Sequence, residues 1–343
     1  MKQKILLTFI LPCYNVEKYV QQCLDSIYEC NLSEDEFEVL CINDCSLDNT
    51  QKILEMNQKM HTNLRIYVQE CNQGPGAARN RGIVEAKGKY LWFVDSDDVV
   101  DASRLFDLLQ RMDEQELDMS CFNYRCIDVT GKELSTDLVF QFTDTEVSDG
   151  YSFAESVFGL RQTIYYMIYQ VRFIFKAEHI KNLNLLFPEK VAYEETVFLA
   201  KAVLNAKRIA AFSNVMYFYR INPEGITQSG HGVRSAKLIY DASFGFGGRL
   251  FEFSNEIENE EMRESIRQYA ISHSWLNGFG VKLLRTNHVK RKHFFQILKE
   301  KRGEIAYLKG YLSTFNRILF LPLVGPWVAE VGSVMYKLKH RQK

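Results

Sequence analysis

The 343 residues hold no Cys-x-x-Cys pair, no internal repeat and no low-complexity linker. The 8 cysteines, Cys13, Cys23, Cys30, Cys41, Cys45, Cys71, Cys121 and Cys126, stand singly, several of them inside apolar patterns. They read as reduced thiols packed as small hydrophobes in a cytoplasmic protein, which argues against a disulfide framework. No apolar run reaches the roughly 18 residues that a spanning helix needs, so none is expected. The apolar start runs straight into a strand and a turn, so no signal peptide is expected either. No Gly-x-Gly-x-x-Gly follows the first strand and no Walker loop occurs, which sets aside the dinucleotide and P-loop classes. No recognition helix or RNA-binding motif is present, so no nucleic acid is expected as a partner.

What is present is ordinary in bulk and uneven in detail. Hydrophobic residues at 46% and charged residues at 25% fit a soluble globular chain long enough for one full domain and a smaller one. From Lys282 to Lys343 there are 14 Lys and Arg against 3 Glu, a surplus of 11, which leaves −12 on the rest of a chain of net charge −1. A basic tail on an acidic body fits attraction to an anionic surface, or simply a solvated helical face.

The first 123 residues alternate strand and helix patterns: Ile5–Leu11, Val16–Cys30, Phe37–Ile42, Asp48–Met60, Leu64–Val68, a helix from Gly74 to Ala86, Tyr90–Val94, Ser103–Met112 and Asp118–Asn123. Such alternation predicts right-handed crossovers and a mainly parallel sheet. Val171–Phe175 and Val215–Tyr219 read as further strands, Tyr193–Ala206 as a helix, and the chain from Val233 as helical. A boundary is expected near Ser229–Gly232, dividing an α/β region, 1–230, from a helical one, 231–343.

Tyr90-Leu91-Trp92-Phe93-Val94 reads as a strand buried on both faces, and Asp95, Asp97 and Asp98 crowd its exit. Carboxylates this close raise one another's pKa unless a cation shares the site, and a hard ion such as Mg²⁺ or Mn²⁺ suits oxygen ligands. An acidic turn capping the next helix is the plainer alternative. The turns Pro12–Asn15, Asn43–Ser46 and Asp95–Asp98 all follow strands of the expected parallel sheet, so they should share its carboxyl edge. Tyr14 could stack there on a ring and Asp44 hydrogen-bond a base or ribose; each could equally be a turn residue. In Gly74-Pro75-Gly76-Ala77-Ala78-Arg79-Asn80, glycines could let backbone approach a phosphate, with Arg79 and Arg81 neutralising it. An ordinary helix start with two solvated arginines fits the same residues.

Phe9–Asn15 through Cys23–Ile27, Asn43–Thr50, Gly76–Gly82 and Asp95-Ser96-Asp97-Asp98 together resemble family 2 glycosyltransferases with a GT-A fold, in order and across residues 5–115. The members it is similar to build bacterial capsule, exopolysaccharide and O-antigen. The resemblance implies a Rossmann-like, mainly parallel sheet with flanking helices, an acceptor part at about 124–230, and a mostly helical C-terminal region. It implies a nucleotide-sugar donor, with a UDP-sugar expected, bound by Pro12, Tyr14, Asn15, Asp44, Gly76, Arg79, Asn80, Asp95 and Ser96. A Mn²⁺ or Mg²⁺ ion would sit on Asp97 and Asp95, and a glycan or lipid-linked acceptor would receive the sugar. Glu194-Glu195 is similar to the family's Glu-Asp pair, with Glu195 as general base and Glu194 beside it, although acids in a first helical turn also suit the helix dipole. Cys45 stands where the family usually has glycine. Met216–Arg220 and Ile226–Ser229 also look like the downstream region of polysaccharide-building members.

Ile318–Val324 and the stripe Trp327, Val328, Val331, Val334, Met335 and Leu338, followed by Lys337, Lys339, Arg341 and Lys343, predict an interfacial helix. Residues 318–343 would then rest on an anionic inner membrane, as a peripheral contact, or else pack on the protein's own body. Asp95-Ser96-Asp97-Asp98-Val99 also fits haloacid-dehalogenase-like phosphotransferases, but there the motif follows the first strand. A non-catalytic nucleotide-sugar or glycan-binding subunit is the remaining alternative.

Overall fold

A computed structural model of the protein describes residues 5–134, 140–159, 169–191, 193–222, 240, 244–278, 296–297 and 299–300. The chain divides into two compact units, Met1–Lys190 with Glu194–Asn222, and Val191–Tyr193 with Pro223–Lys343. The boundary expected near Ser229–Gly232 and the tail 318–343 lie outside the described residues.

In the first unit, β1 (Leu7–Cys13), α1 (Val20–Tyr28), β2 (Phe37–Asn43), α2 (Thr50–Met60), β3 (Leu64–Val68), α3 (Pro75–Glu85) and β4 (Tyr90–Phe93) alternate as the sequence predicts. Then come β5 (Val99–Val100), α4 (Leu105–Glu114), β6 (Met119–Ile127), a helical turn α5 (Gly150–Phe153), β7 (Phe173–Lys176), α6 (Ala177–Asn182), α7 (Glu194–Leu204) and β8 (Ile209–Arg220). The eight strands form one sheet in the order β3-β2-β1-β4-β7-β6-β8-β5. The block β3-β2-β1-β4 is parallel throughout, β6 pairs β8 parallel, and the remaining pairs are antiparallel. The arrangement is the GT-A fold, mainly parallel with helices on its flanks.

Burial on both faces explains why β1, β2 and β4 are largely apolar, with Thr8 and Glu38 paired to each other inside. Leu7, Phe9, Leu11, Val39, Cys41 and Trp92 turn to one face, where Val20, Cys23, Leu24 and Ile27 of α1 meet them. Each such side chain contributes roughly 1.5–3 kcal/mol on leaving water. The other face seats α3 so closely that a Cβ on Gly82 would lie 2.3 Å from Ile10 Cγ2. Beside it the Phe93 ring stands edge-on to Phe187 and Phe198.

Three elements differ most from the sequence expectation. α1 begins at Val20 and not Val16, because Asn15 takes a left-handed φ of 53° and the Val16 and Glu17 amides bond to the next turn instead of a helix. β6 and β8 run several residues longer than Asp118–Asn123 and Val215–Tyr219, with a register shift between Cys121 and Tyr124. The added residues, 124–127 in β6 and 209–214 with Arg220 in β8, mix apolar and polar side chains without a clean alternation. In the second unit, α8 (Phe246–Ser254) and α9 (Glu260–Gly278) are helical. Among the described residues no helix is long and apolar enough to cross a membrane.

Candidate active site

The three turns meet at the carboxyl edge of the parallel block and are laced to one another. Cys13 and Asn43 are register partners, and the Asp44 amide donates to the Cys13 carbonyl at 2.8 Å. Asn15 N–H donates to Ser46 Oγ at 3.1 Å, and Leu47 N–H donates to Asn15 Oδ1 at 2.8 Å. Ser96 Oγ donates to the Pro12 carbonyl at 2.7 Å, which ties the acidic turn to the first. Cys45 has φ 62°, a left-handed conformation that a glycine adopts freely and a cysteine holds at a cost of about 1–2 kcal/mol. That backbone demand accounts for the glycine usual at its position in the resembling family.

Tyr14 is 43% exposed at this edge, so its ring face is available. Asp44 is buried, and its carboxylate accepts from Gln69 Nε2 at 2.6 Å, the Gln73 amide at 2.8 Å and the Gly74 amide at 2.8 Å. It therefore anchors the loop between β3 and α3, with little acceptor capacity left for a ligand.

The three aspartates differ in kind. Asp98 is buried and fully engaged, accepting from the Tyr217 hydroxyl at 2.6 Å and the Arg220 amide at 2.7 Å. Burial, then Asp97 and Asp95, push its carboxyl well above the usual range. Asp97 is half-buried, and no side chain among the described residues donates to its carboxylate or pairs with it; burial and the neighbouring Asp95 push it up to about 6. Asp95 gives Oδ1 to Arg79 at 2.8 Å.

Arg79 is the hinge between this turn and the second acidic motif. It donates to Asp95 through one terminal nitrogen and to Glu194 Oε1 through the other, at 2.7 Å. Burial alone would lower its pKa, but Asp95 and Glu194 more than reverse that and hold it charged. Its Nε is buried without a partner. Glu195 follows Glu194 in the first turn of α7; burial and the Glu194 charge push its carboxyl up to about 8.

Other residues expected to face a donor already hold protein partners. Ser96 is buried and committed to Pro12. Asn80 is buried, donating to the Phe187 carbonyl at 2.9 Å and accepting from the Phe187 amide at 2.7 Å. A Cβ on Gly76 would sit 2.6 Å from the Pro188 carbonyl, so its close approach is to protein backbone. Arg81 pairs with Glu85 at 2.8 Å, one turn on along α3.

The profile of glycosyl transferase family 2 matches residues 8–173, which hold all three turns. Residues 8–173 thus form a glycosyl transferase family 2 domain. It is 30% identical over 284 residues to poly(ribitol-phosphate) β-N-acetylglucosaminyltransferase TarS of Staphylococcus aureus, covering 80% of this chain and 46% of that protein. It is 29% identical to the uncharacterized glycosyltransferase EpsJ of Bacillus subtilis, covering 65% of this chain and 63% of EpsJ. The chain thus spans about half the length of TarS. A crystal structure of S. aureus TarS residues 1–349 with UDP-GlcNAc superposes with TM-score 0.68 at 24% identity, covering 96% of this chain and 89% of that one. A mannosyltransferase of Pyrobaculum calidifontis with GDP-Man and Mn²⁺ shares the fold at TM-score 0.51 and 15% identity, over 98% and 88% of the chains.

The family match weighs against the phosphotransferase alternative, as do the three βα units that precede the Asp95 turn. Two site residues escaped the sequence reading. Tyr217 and Arg220 close β8 and brace the acidic turn from the far end of the sheet. Arg220 Nε donates to the Asp97 carbonyl at 2.8 Å, and a terminal nitrogen donates to Gln22 Oε1 at 2.7 Å. The signal was the resemblance of Met216–Arg220 to other members. Among the described residues no three His, Cys, Asp or Glu side chains converge as a metal cluster. A half-buried Asp97 without a side-chain partner, beside a second carboxylate, nevertheless fits a hard divalent cation whose other ligands come from a diphosphate.

Proposed function

We propose that the chain is an inverting glycosyltransferase that moves a sugar from a UDP-sugar to a hydroxyl of a glycan or lipid-linked acceptor in bacterial surface-polysaccharide synthesis. The observation that carries the reading is the convergence of the Asp95 turn and the Glu194-Glu195 helix on one buried arginine, at the edge where Tyr14 is exposed. The poly(ribitol-phosphate) N-acetylglucosaminyltransferase named above supports the donor class.

Tyr14 stacks on the nucleobase, and the loop held by Asp44 walls that subsite. Asp95 keeps one carboxylate oxygen beyond its bond to Arg79 and takes the ribose or the cation. Asp97, with Asp95, would hold Mn²⁺ or Mg²⁺, which when bound offsets the charge of the diphosphate. Glu195 accepts the proton of the acceptor hydroxyl as it attacks the anomeric carbon, a contribution of roughly 10²–10⁴-fold. Glu is one methylene longer than the Asp usual there, and the acceptor is set correspondingly further from α7. One displacement inverts the centre, and UDP leaves.

Purified protein offered a panel of nucleotide sugars with Mn²⁺ and a polyol or glycan acceptor should release UDP from one donor. No turnover of any nucleotide sugar, or parental turnover in Asp97→Ala, overturns the reading. The basic tail, residues 318–343, carries the proposal of peripheral attachment at the inner face of the membrane. Deleting Leu323–Lys343 should then lower cosedimentation with anionic vesicles.

A further inference from the structure

Gly76, Arg79 and Asn80 stand at i, i+3 and i+4 of α3 and so share one helical face. That face meets Phe187, Pro188, Glu189 and Glu194, and its Arg79 also holds Asp95. Asn80 forms a two-way pair with the backbone of Phe187 and donates to Glu189 at 3.2 Å. A Cβ on Gly76 would meet Pro188, Glu194 and Phe187. The Arg79 guanidinium lies 5.4 Å from the Phe187 ring centre while holding Glu194. The clasped stretch leads directly into α7 and Glu195.

We propose that this face of α3 is the seat that aims the catalytic acids, with Arg79 and Asn80 as positioning residues that leave the donor phosphates to other groups. The inference rests on the reading of Glu195 as base. Two arguments carry it. A guanidinium already bonded to two carboxylates sits in a cluster of net negative charge and offers a diphosphate little attraction. Lys190 and Tyr193, non-glycine residues at φ 58° and 56°, flank the approach to α7, and such conformations persist only where surrounding structure fixes them.

The test separates turnover from donor affinity. Misplacing a reacting group by about 1 Å costs on the order of 10²-fold, so Arg79→Gln should lose kcat by roughly that factor. The Kd for UDP with Mn²⁺ should stay within about fivefold, whereas losing a charge-assisted contact to the diphosphate would weaken it by roughly 10- to 100-fold. Asn80→Ala should show the same split, less severely. Arg79→Gln/Glu194→Gln should be no slower than the slower single variant, because the two act as one unit. A fall in UDP affinity parallel to kcat, or parental kcat in Arg79→Gln, overturns the inference. Where Arg79→Gln does not fold, Arg79→Lys reads the same split. Glu195→Gln is run alongside: parental turnover there sinks the base assignment, while the split in the Arg79 and Asn80 variants still decides whether α3 bypasses the donor.

Discussion

Tyr217 gives its hydroxyl to Asp98 Oδ2 at 2.6 Å across 119 residues of sequence. Both groups are buried, so the bond holds the last strand of the sheet against the acidic turn. Tyr217→Phe keeps the ring and removes the donor, leaving a buried carboxyl with one partner fewer. The loss should be about 1–3 kcal/mol, read as a lower denaturation midpoint. The turn would also loosen around Asp97, so UDP binding with Mn²⁺ should weaken. An unchanged midpoint would show that the bond is dispensable.

Asp97 should behave in the opposite way. Its carboxylate, unlike that of Asp98, accepts no side-chain hydrogen bond among the described residues, and burial and repulsion from Asp95 outweigh the attraction of Arg220. Asp97→Asn should therefore leave the melting temperature equal or higher. Turnover with Mn²⁺ should fall by at least about 10²-fold if the carboxylate contributes several kcal/mol through the ion. A collapse in stability instead would make Asp97 a structural acid.

Glu195 sets a pH expectation. Burial and the Glu194 charge raise its carboxyl to about 8, so the free protein carries it mostly protonated at pH 7. A base must be charged, so kcat/KM should rise with pH and level off above about 8, and Glu195→Gln should lack that limb. Stability runs the other way. A folded pKa above the unfolded value means the native state binds the extra proton, so this group's contribution is complete below about pH 4.3 and is lost as pH climbs through about 8. Relative to the parent, Glu195→Gln should gain stability between pH 5 and 9. A flat difference would place the carboxyl in a less burdened setting.

The parallel half of the sheet was legible because β1, β2 and β4 are buried on both faces and leave largely apolar runs, and because turns after parallel strands share an edge. The meeting of Pro12, Asp44 and Asp95 followed from that alone. What sequence could not show was which polar atoms would already be engaged. Arg79 reads as a phosphate ligand in the sequence, and only the fold shows Glu194, 115 residues later, already bonded to it. Asn80 and Ser96 looked like ligand contacts for the same reason, since a short polar side chain near a turn gives no sign of its partner. Tyr217 and Arg220 were hidden because their role depends on a sheet order that places β8 beside β5, an adjacency no local pattern encodes.

Gly76 offers the sharpest contrast within α3. A methyl group on Gly82 would press against Ile10, a side chain that can shift, whereas one on Gly76 would meet the Pro188 carbonyl at 2.6 Å. Backbone cannot turn aside as a rotamer can, so Gly76→Ala must displace Pro188 and with it Phe187, which precede α7 in the chain. Overpacking of this kind costs about 1–3 kcal/mol, and both variants should melt at lower temperature. Only Gly76→Ala should also lose turnover out of proportion to its stability, with UDP affinity retained. Equal catalytic losses in the two variants would mean that the closeness of α3 to Pro188 serves packing and leaves the aim of Glu195 untouched.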